Sequence, residues 1–144
     1  MLPAETKAWL SDFDYPEYTK AIREKQDATT TQLRALGIAE ESEIADFYLN
    51  FGALSASGWY ELLEPEELGD MASYIHSEFG LPERFIALTN HEGGGFSLLD
   101  CESMFVYDIV FGDLEDLLAG RVDPVAKSFS AYLEWRRTQR TNGG

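Results

Sequence analysis

The sequence predicts an α+β fold, with helices packed around a mostly antiparallel sheet of about four to six strands. Three short apolar runs between Leu81 and Phe111, rich in aromatic and β-branched residues, are separated by a glycine cluster and a polar kink. This pattern is typical of a three-stranded antiparallel meander. Segments with helical periodicity lie on both sides of it, and mixed runs of this kind predict an α+β domain. The 144 residues favour a single domain over residues 1–144 that can bury its own core.

Residues 1–30 are predicted to be an N-terminal helical extension of that domain. Residues 4–10 can form a short helical turn, and Asp12 or Asp14 can cap a helix that starts near Pro16. The β-branched run Thr29-Thr30-Thr31 predicts a break or a second helix start. Gly37 then suits the end of the following helical segment.

The middle of the chain predicts a second helix over residues 39–51. Its apolar face consists of residues spaced by three and four, namely Ile44, Phe47, Tyr48 and Phe51. A short strand is predicted over residues 58–63. A helix that opens at Glu64-Pro65 follows and ends at Gly80.

After the meander, two more helices are predicted. Asp113 is expected to cap a short helix over residues 114–119, and Pro124 is expected to open the final one. The apolar residues of the final helix include Val125, Phe129 and Leu133.

The chain is strongly acidic, with 26 acidic and 11 basic residues and a formal net charge of −15. Arg84 is the only lysine or arginine between Glu40 and Asp116. Such a charge repels phosphate backbones, so we expect no direct nucleic-acid binding. It favours association with a basic protein, although solubility alone also explains an acidic composition.

The cellular compartment of the protein is predicted from features that the sequence lacks. Cys101 is the single cysteine, so it has no intramolecular disulfide partner and is best explained as a small buried thiol. No apolar run is long enough for a membrane span, and the first residues lack the pattern of a signal peptide. We therefore expect a cytoplasmic protein with no membrane partner.

No motif for catalysis, cofactor binding or metal binding is present, so the sequence predicts a protein that is not an enzyme. The run Gly93-Gly94-Gly95 lacks a following helix and a lysine, and it fits a turn better than a phosphate cradle. A hydrolase built on the His91 region, with Asp100 and Cys101, remains an alternative. It is disfavoured because adjacent strand residues point to opposite faces.

The acids at the start of the helix after residue 64 lack the spacing of a calcium loop. A solvated first turn, favoured by the helix dipole, explains them better. The aromatic residues Trp59, Tyr60, Phe105 and Tyr107 suit core packing, and binding anchors are the alternative.

The order of these elements resembles the SMI1/KNR4 superfamily, also called the SUKH domain, over roughly residues 33–133. The similarity lies in the helix end at Asn50-Phe51-Gly52, the Trp59 segment with the helix after it, the strand Phe85-Ile86-Ala87-Leu88, the glycine turn with a strand that ends in Asp100, and Val106-Tyr107-Asp108. The final helix adds an aromatic–leucine pair.

The resemblance implies a SUKH-like fold and a function other than catalysis. Bacterial members of such families look like immunity proteins, which bind and neutralise a cognate protein toxin, often a nuclease. A regulatory protein–protein interaction domain with a host partner is the alternative. A basic toxin cleft would suit an acidic partner. We expect the contact surface in the acids of two helix starts with an aromatic anchor, namely Glu40, Glu41, Glu43, Glu64, Glu66, Glu67, Asp70 and Trp59 or Tyr60.

Overall fold

The computed structural model describes residues 1–56, 62–91 and 93–143. These residues form the helices α1 (Ala4–Leu10), α2 (Pro16–Glu24), α3 (Gln26–Ala35), α4 (Glu43–Asn50), α5 (Pro65–Glu78), α6 (Leu114–Leu118) and α7 (Phe129–Gly143), and the strands β1 (Phe85–Ala87), β2 (Gly95–Asp100) and β3 (Val106–Val110). Mixed helices and antiparallel strands confirm the α+β class. The described residues contain three strands, so the predicted four to six are not confirmed.

The predicted meander between residues 81 and 111 is confirmed. The strands lie in the order β1-β2-β3, and both neighbouring pairs are antiparallel. In the register, Ala87 lies opposite Leu98, and Leu98 lies opposite Tyr107. β2 is therefore the central strand.

Helices cover both faces of this sheet. Successive strand residues point to opposite faces of a sheet. In this sheet, the side chains on each face pack into a hydrophobic core. Ile86, Leu99 and Val106 belong to the main core, while Phe85 and Leu98 belong to a second core. Helices α4 and α7 contribute to the main core, with Phe47, Tyr48, Phe129, Tyr132 and Leu133. Helices α5 and α6 contribute to the second core, with Ile75 and Leu117. Burial on both faces explains why β1 and most of β2 are buried without alternation, whereas β3 keeps exposed residues such as Asp108.

The outer strands each gain one further antiparallel contact. Leu62 bridges Thr89 just beyond β1, and Ala126 bridges Val106 at the start of β3. The strand predicted over residues 58–63 lies largely outside the described residues, since 57–61 are not described. The prediction that Pro124 opens the last helix is wrong. The segment after it extends beside β3, with Val106 donating to the Ala126 carbonyl at 2.9 Å, and α7 begins only at Phe129.

Two predictions about the N-terminal helices need correction. α2 starts at Pro16 as predicted, but its N-cap is Tyr15, and neither Asp12 nor Asp14 caps it. The break falls at Lys25, not at the threonine run, which lies inside α3. The Thr31 hydroxyl donates to the Asp27 carbonyl at 3.1 Å, so a threonine side chain is satisfied within the helix.

The other helix starts were predicted with mixed success. α5 begins at Pro65 after Glu64, as predicted. α4 begins at Glu43 and not near residue 39, because the Ser42 hydroxyl accepts the Ala45 amide at 3.2 Å and caps the helix there. Asp113 is the N-cap residue of α6, but its side chain makes no capping hydrogen bond.

Asp46 of α4 ties the N-terminal segment to the main core. Its carboxylate accepts the Leu2 amide at 2.9 Å and the Asn50 side-chain amide at 2.8 Å, and lies 3.5 Å from the Lys7 ammonium. Partial burial by itself would raise the pKa of Asp46, but these three donors outweigh it, and the pKa is lowered. Leu2 and Leu10 of this segment are buried in the main core.

A lowered carboxyl pKa predicts the pH dependence of stability. The contribution of Asp46 should be complete well above the unfolded-state pKa of about 3.9, and should be lost as the pH falls through the lower folded-state value. We expect D46N to lower the free energy of unfolding near neutral pH, and the gap from the parent to close in acid. Urea unfolding across pH 3–7, with D12N at an exposed position as control, measures this. A gap that stayed constant with pH would contradict it.

Gly95 begins β2 where two backbones lie in close contact. A Cβ atom built on this residue would overlap the carbonyl oxygen of Ile109 and lie 2.9 Å from Cα of Val110. Both atoms belong to β3 backbone and cannot rotate away. Gly69, by contrast, lies in the interior of α5, where an added Cβ atom would have no neighbour within 4 Å.

The same substitution should therefore have opposite effects at these two glycines. We expect G95A to lower the free energy of unfolding by about 2–3 kcal/mol, because one strand must shift. We expect G69A to raise it by about 0.5–1 kcal/mol, because alanine is the better helix former. Urea unfolding of both variants measures this, and equal effects of the same sign would refute the close contact at β2.

Candidate functional site

Glu43, one of the predicted contact acids, is used to hold two helices together. Its carboxylate accepts the Ser130 amide at 3.0 Å and the Ser130 hydroxyl at 2.8 Å. Ser130 lies in the first turn of α7, whose amide groups have no partner inside the helix. Glu43 thus caps α7 from the start of α4.

Glu64 and Glu67 are engaged at the start of α5. They form a capping box, in which the Glu64 amide donates to the Glu67 carboxylate at 2.9 Å. The Tyr18 hydroxyl donates to Glu64 at 3.1 Å. Burial raises the pKa of Glu64, the Tyr18 hydrogen bond acts in the opposite direction, and the charges of Glu66 and Glu67 raise it further.

The two predicted groups of acids lie apart. Glu40 pairs with Arg34 and Glu41 is exposed, both just before the start of α4. Glu64 lies near the far end of α4, because the Tyr18 hydroxyl that donates to it also accepts the Leu54 amide at 3.2 Å. The eight residues of α4 separate these ends by about 12 Å. The predicted anchors Trp59 and Tyr60 lie outside the described residues.

The remaining predicted acids, Glu66 and Asp70, lie on the solvent side of α5. The opposite side of this helix carries the buried residues Leu68, Ala72 and Ile75. Glu66 and Asp70 start a row at strict i, i+4 spacing that continues through Tyr74 to Glu78, and all four side chains are exposed. Such rows form natural ridges on a helix. We call Glu66, Asp70, Tyr74 and Glu78 the acidic stripe, which is about 18 Å long.

Glu66 lies in the first turn of α5, where the helix dipole favours an anion, but the rest of the acidic stripe is electrostatically unfavourable for this helix. Glu66 and Asp70 are like charges at i, i+4, a pair that costs about 0.2–0.5 kcal/mol. Glu78 lies in the last turn, where the helix dipole disfavours an anion. α5 contains no lysine or arginine, and no ion pair within 4.0 Å joins these carboxylates to a cation of the described residues. Folding therefore gains little from Asp70 and Glu78.

A group of aromatic rings adjoins the C-terminal half of the stripe. Tyr74 lies 4.9 Å from the His91 ring and 5.7 Å from the Phe79 ring, measured between centroids. Phe111 lies 5.2 Å from Phe79 and 6.3 Å from His91. We call Tyr74, Phe79, His91 and Phe111 the aromatic patch. Sequence reasoning missed it, although the i, i+4 spacing of Asp70, Tyr74 and Glu78 was available as a signal.

The structure separates the residues of the hydrolase alternative. The Gly94 amide donates to the His91 carbonyl at 3.2 Å, so His91 lies at the turn before β2. Asp100 lies at the other end of β2, where it pairs with Phe85. The two ends of β2 are about 17 Å apart. Burial, with a smaller contribution from the Asp100 charge, raises the pKa of the Cys101 thiol to about 11. This thiol is a poor nucleophile at neutral pH.

Polar groups also lie between α7 and the sheet. The Ser97 hydroxyl donates to Asp108 at 2.9 Å across β2 and β3, and Arg136 donates to the Tyr132 hydroxyl at 3.3 Å. His76 of α5 contacts the Phe85 carbonyl through Nε2 at 2.9 Å. The His76 contact joins α5 to the sheet, whereas the Ser97 contact lies within the sheet and the Arg136 contact within α7.

The described ranges bring no three His, Cys, Asp or Glu side chains together as a metal-binding group. Of the helices formed by the described residues, none combines the length and the apolar character needed to cross a membrane.

Comparisons of the chain with models of known protein families, with curated proteins and with solved structures gave no match. The functional interpretation therefore depends on the surface chemistry described above.

The contacts of Glu43 predict that its removal affects stability. We expect E43A to lower the free energy of unfolding by about 1–2 kcal/mol, because two charge-assisted hydrogen bonds at the start of α7 are lost. E41A is the matched control two residues earlier, since that side chain is exposed, and it should change stability by less than about 0.5 kcal/mol. Urea unfolding of both variants decides this, and equal effects would show that Glu43 does not cap α7.

Proposed function

We propose that the chain is an immunity-type protein, which binds a cognate basic protein toxin and neutralises it by stoichiometric occlusion. The observation that carries this proposal is the acidic stripe, a row of exposed side chains in which Asp70 and Glu78 are electrostatically unfavourable for their own helix. Departures from the local rules of helix stability are expected at functional sites.

Charge complementarity supports a basic partner. A nuclease-type toxin needs a positively charged cleft for its substrate. A protein of net charge −15 is attracted to such a cleft, and the association is fast at low salt. The acidic stripe extends for about 18 Å, which is several phosphate spacings of a nucleic-acid strand. Its carboxylates can therefore occupy the sites that phosphates would use.

The resemblance to the SUKH superfamily supports the same proposal. A regulatory domain with a host partner would use a similar surface, and co-expression separates the two. The test is to express the chain together with the toxin domain encoded beside its gene. Rescue of growth and a 1:1 complex on a sizing column are expected. Absence of both would refute the immunity function and leave the regulatory one.

The acidic stripe predicts which carboxylates matter for the complex. We expect the triple variant E66Q/D70N/E78Q to slow association with the toxin domain at least tenfold at low salt and to flatten its dependence on salt, because steering depends on these charges. Stopped-flow measurements between 20 and 300 mM NaCl provide the readout. Glu67 is left unchanged, since it belongs to the capping box.

A matched variant separates local charge from net charge. E5Q/D12N/D123N removes three exposed carboxylates from α1 and two loops, and it changes the net charge by the same amount. This control should slow association by less than about threefold, because more distant charges are screened. Equal effects of the two triple variants would place the interface elsewhere.

A further inference from the structure

We infer that the aromatic patch, with Asp70 and Glu78 beside it, binds an arginine side chain of the basic partner. The inference deepens the proposed function and rests on it, because it assumes a basic protein at the acidic stripe. It identifies which group of that partner is recognised and where.

The four rings of the aromatic patch form a closed circuit of contacts. Tyr74 contacts His91, His91 contacts Phe111, Phe111 contacts Phe79, and Phe79 contacts Tyr74 with an edge-on angle of 87°. Beneath them, the buried Phe96 ring lies 5.7 Å from Phe79 and 5.6 Å from Phe111. Tyr74 remains 39% exposed. Ring contacts therefore support the Tyr74 side chain from within while part of it stays exposed.

The rim of the patch is negative. Asp70 and Glu78 lie one turn before and one turn after Tyr74 on α5, so both residues are neighbours of Tyr74 on the same side of the helix. The segments that supply the patch, residues 65–79, 90–91, 93–96 and 110–113, contain no lysine or arginine. A cation over the Tyr74 ring would therefore meet an aromatic face and two carboxylates that no cation on the same segments neutralises.

The chemistry of this combination favours arginine over lysine. A guanidinium group is planar, so it can stack on a ring and still donate paired hydrogen bonds to a carboxylate at its edge. It is also more weakly hydrated than an ammonium group, so less hydration is lost when it stacks. Cation–π contacts at exposed sites are worth about 0.5–1 kcal/mol, or about two- to fivefold in affinity.

A second exposed tyrosine offers an internal comparison. Tyr15 is 54% exposed, its ring lies 6.2 Å from Phe13, and Asp14 and Glu17 are close in sequence. The adjoining helix α2 carries Lys20 and Arg23, with Lys25 directly after it. These local cations reduce the attraction for another cation, so Tyr15 serves as the control position.

The test uses two short peptides as probes, Gly-Arg-Gly-Arg-Gly and Gly-Lys-Gly-Lys-Gly, both with blocked termini. They are titrated into the isotopically labelled chain, and the amide and ring NMR signals are followed. We expect the arginine peptide to shift the signals of Tyr74, His91 and Phe111 first, and to bind at least threefold more tightly than the lysine peptide. Y74L should weaken its binding about fivefold, whereas Y74F, which keeps the ring, should bind as the parent does. Y15L should have no effect.

Each contrary result is decisive. Equal binding of the two peptides, or equal effects of Y74L and Y15L, would show that only net charge attracts the probe and would overturn the inference. The retained fold of each variant is read from the same NMR spectra. If the toxin domain binds but Y74L leaves that complex unchanged, the immunity function is supported and the arginine site is refuted. If the arginine peptide binds at the aromatic patch but no toxin complex forms, the immunity function is refuted and the arginine site is supported.

Discussion

Burial of the three-stranded sheet on both faces is the constraint on which the rest of the structure depends. Because neighbouring strand residues point into different cores, helices must cover each face. The second core receives Ile75, on the inner side of α5. Once that side of α5 is committed to the core, its opposite side must face solvent. The position and direction of the acidic stripe follow from this arrangement.

The sequence was sufficient for elements with strong local signals. The meander was predictable because β-branched and aromatic runs are separated by Gly93-Gly94-Gly95, and α5 was predictable because Glu64-Pro65 is a strong helix start. Pro124 is also a strong local signal for a helix start, but the prediction made from it was wrong. The bridge between Ala126 and Val106 keeps the residues after Pro124 extended. Contacts between distant segments, such as that of Asp46 with Leu2, could not be predicted, because they produce no periodic pattern in the sequence.

The candidate site was predictable only in part. Glu66 and Asp70 were selected as acids of a helix start, and the structure leaves both exposed. Glu43 was selected by the same reasoning, yet it bonds Ser130, which lies 87 residues further along the chain. Composition cannot distinguish a free carboxylate from one that caps another helix. The sequence signals only the α5 part of the aromatic patch, through the i, i+4 spacing of Asp70, Tyr74 and Glu78. The other rings come from the end of α5, the turn before β2 and the end of β3, and only the fold brings them together.

The contacts at the two outer strands have a consequence for behaviour at high concentration. Unpaired strand edges are templates for strands of other molecules and thus for aggregation. Leu62 occupies part of the edge beyond β1, and Ala126 occupies the start of the edge of β3. Further along β3, the charged side chain of Asp108 opposes the approach of a second acidic molecule. These contacts leave less of each outer strand open to strand addition by a second molecule.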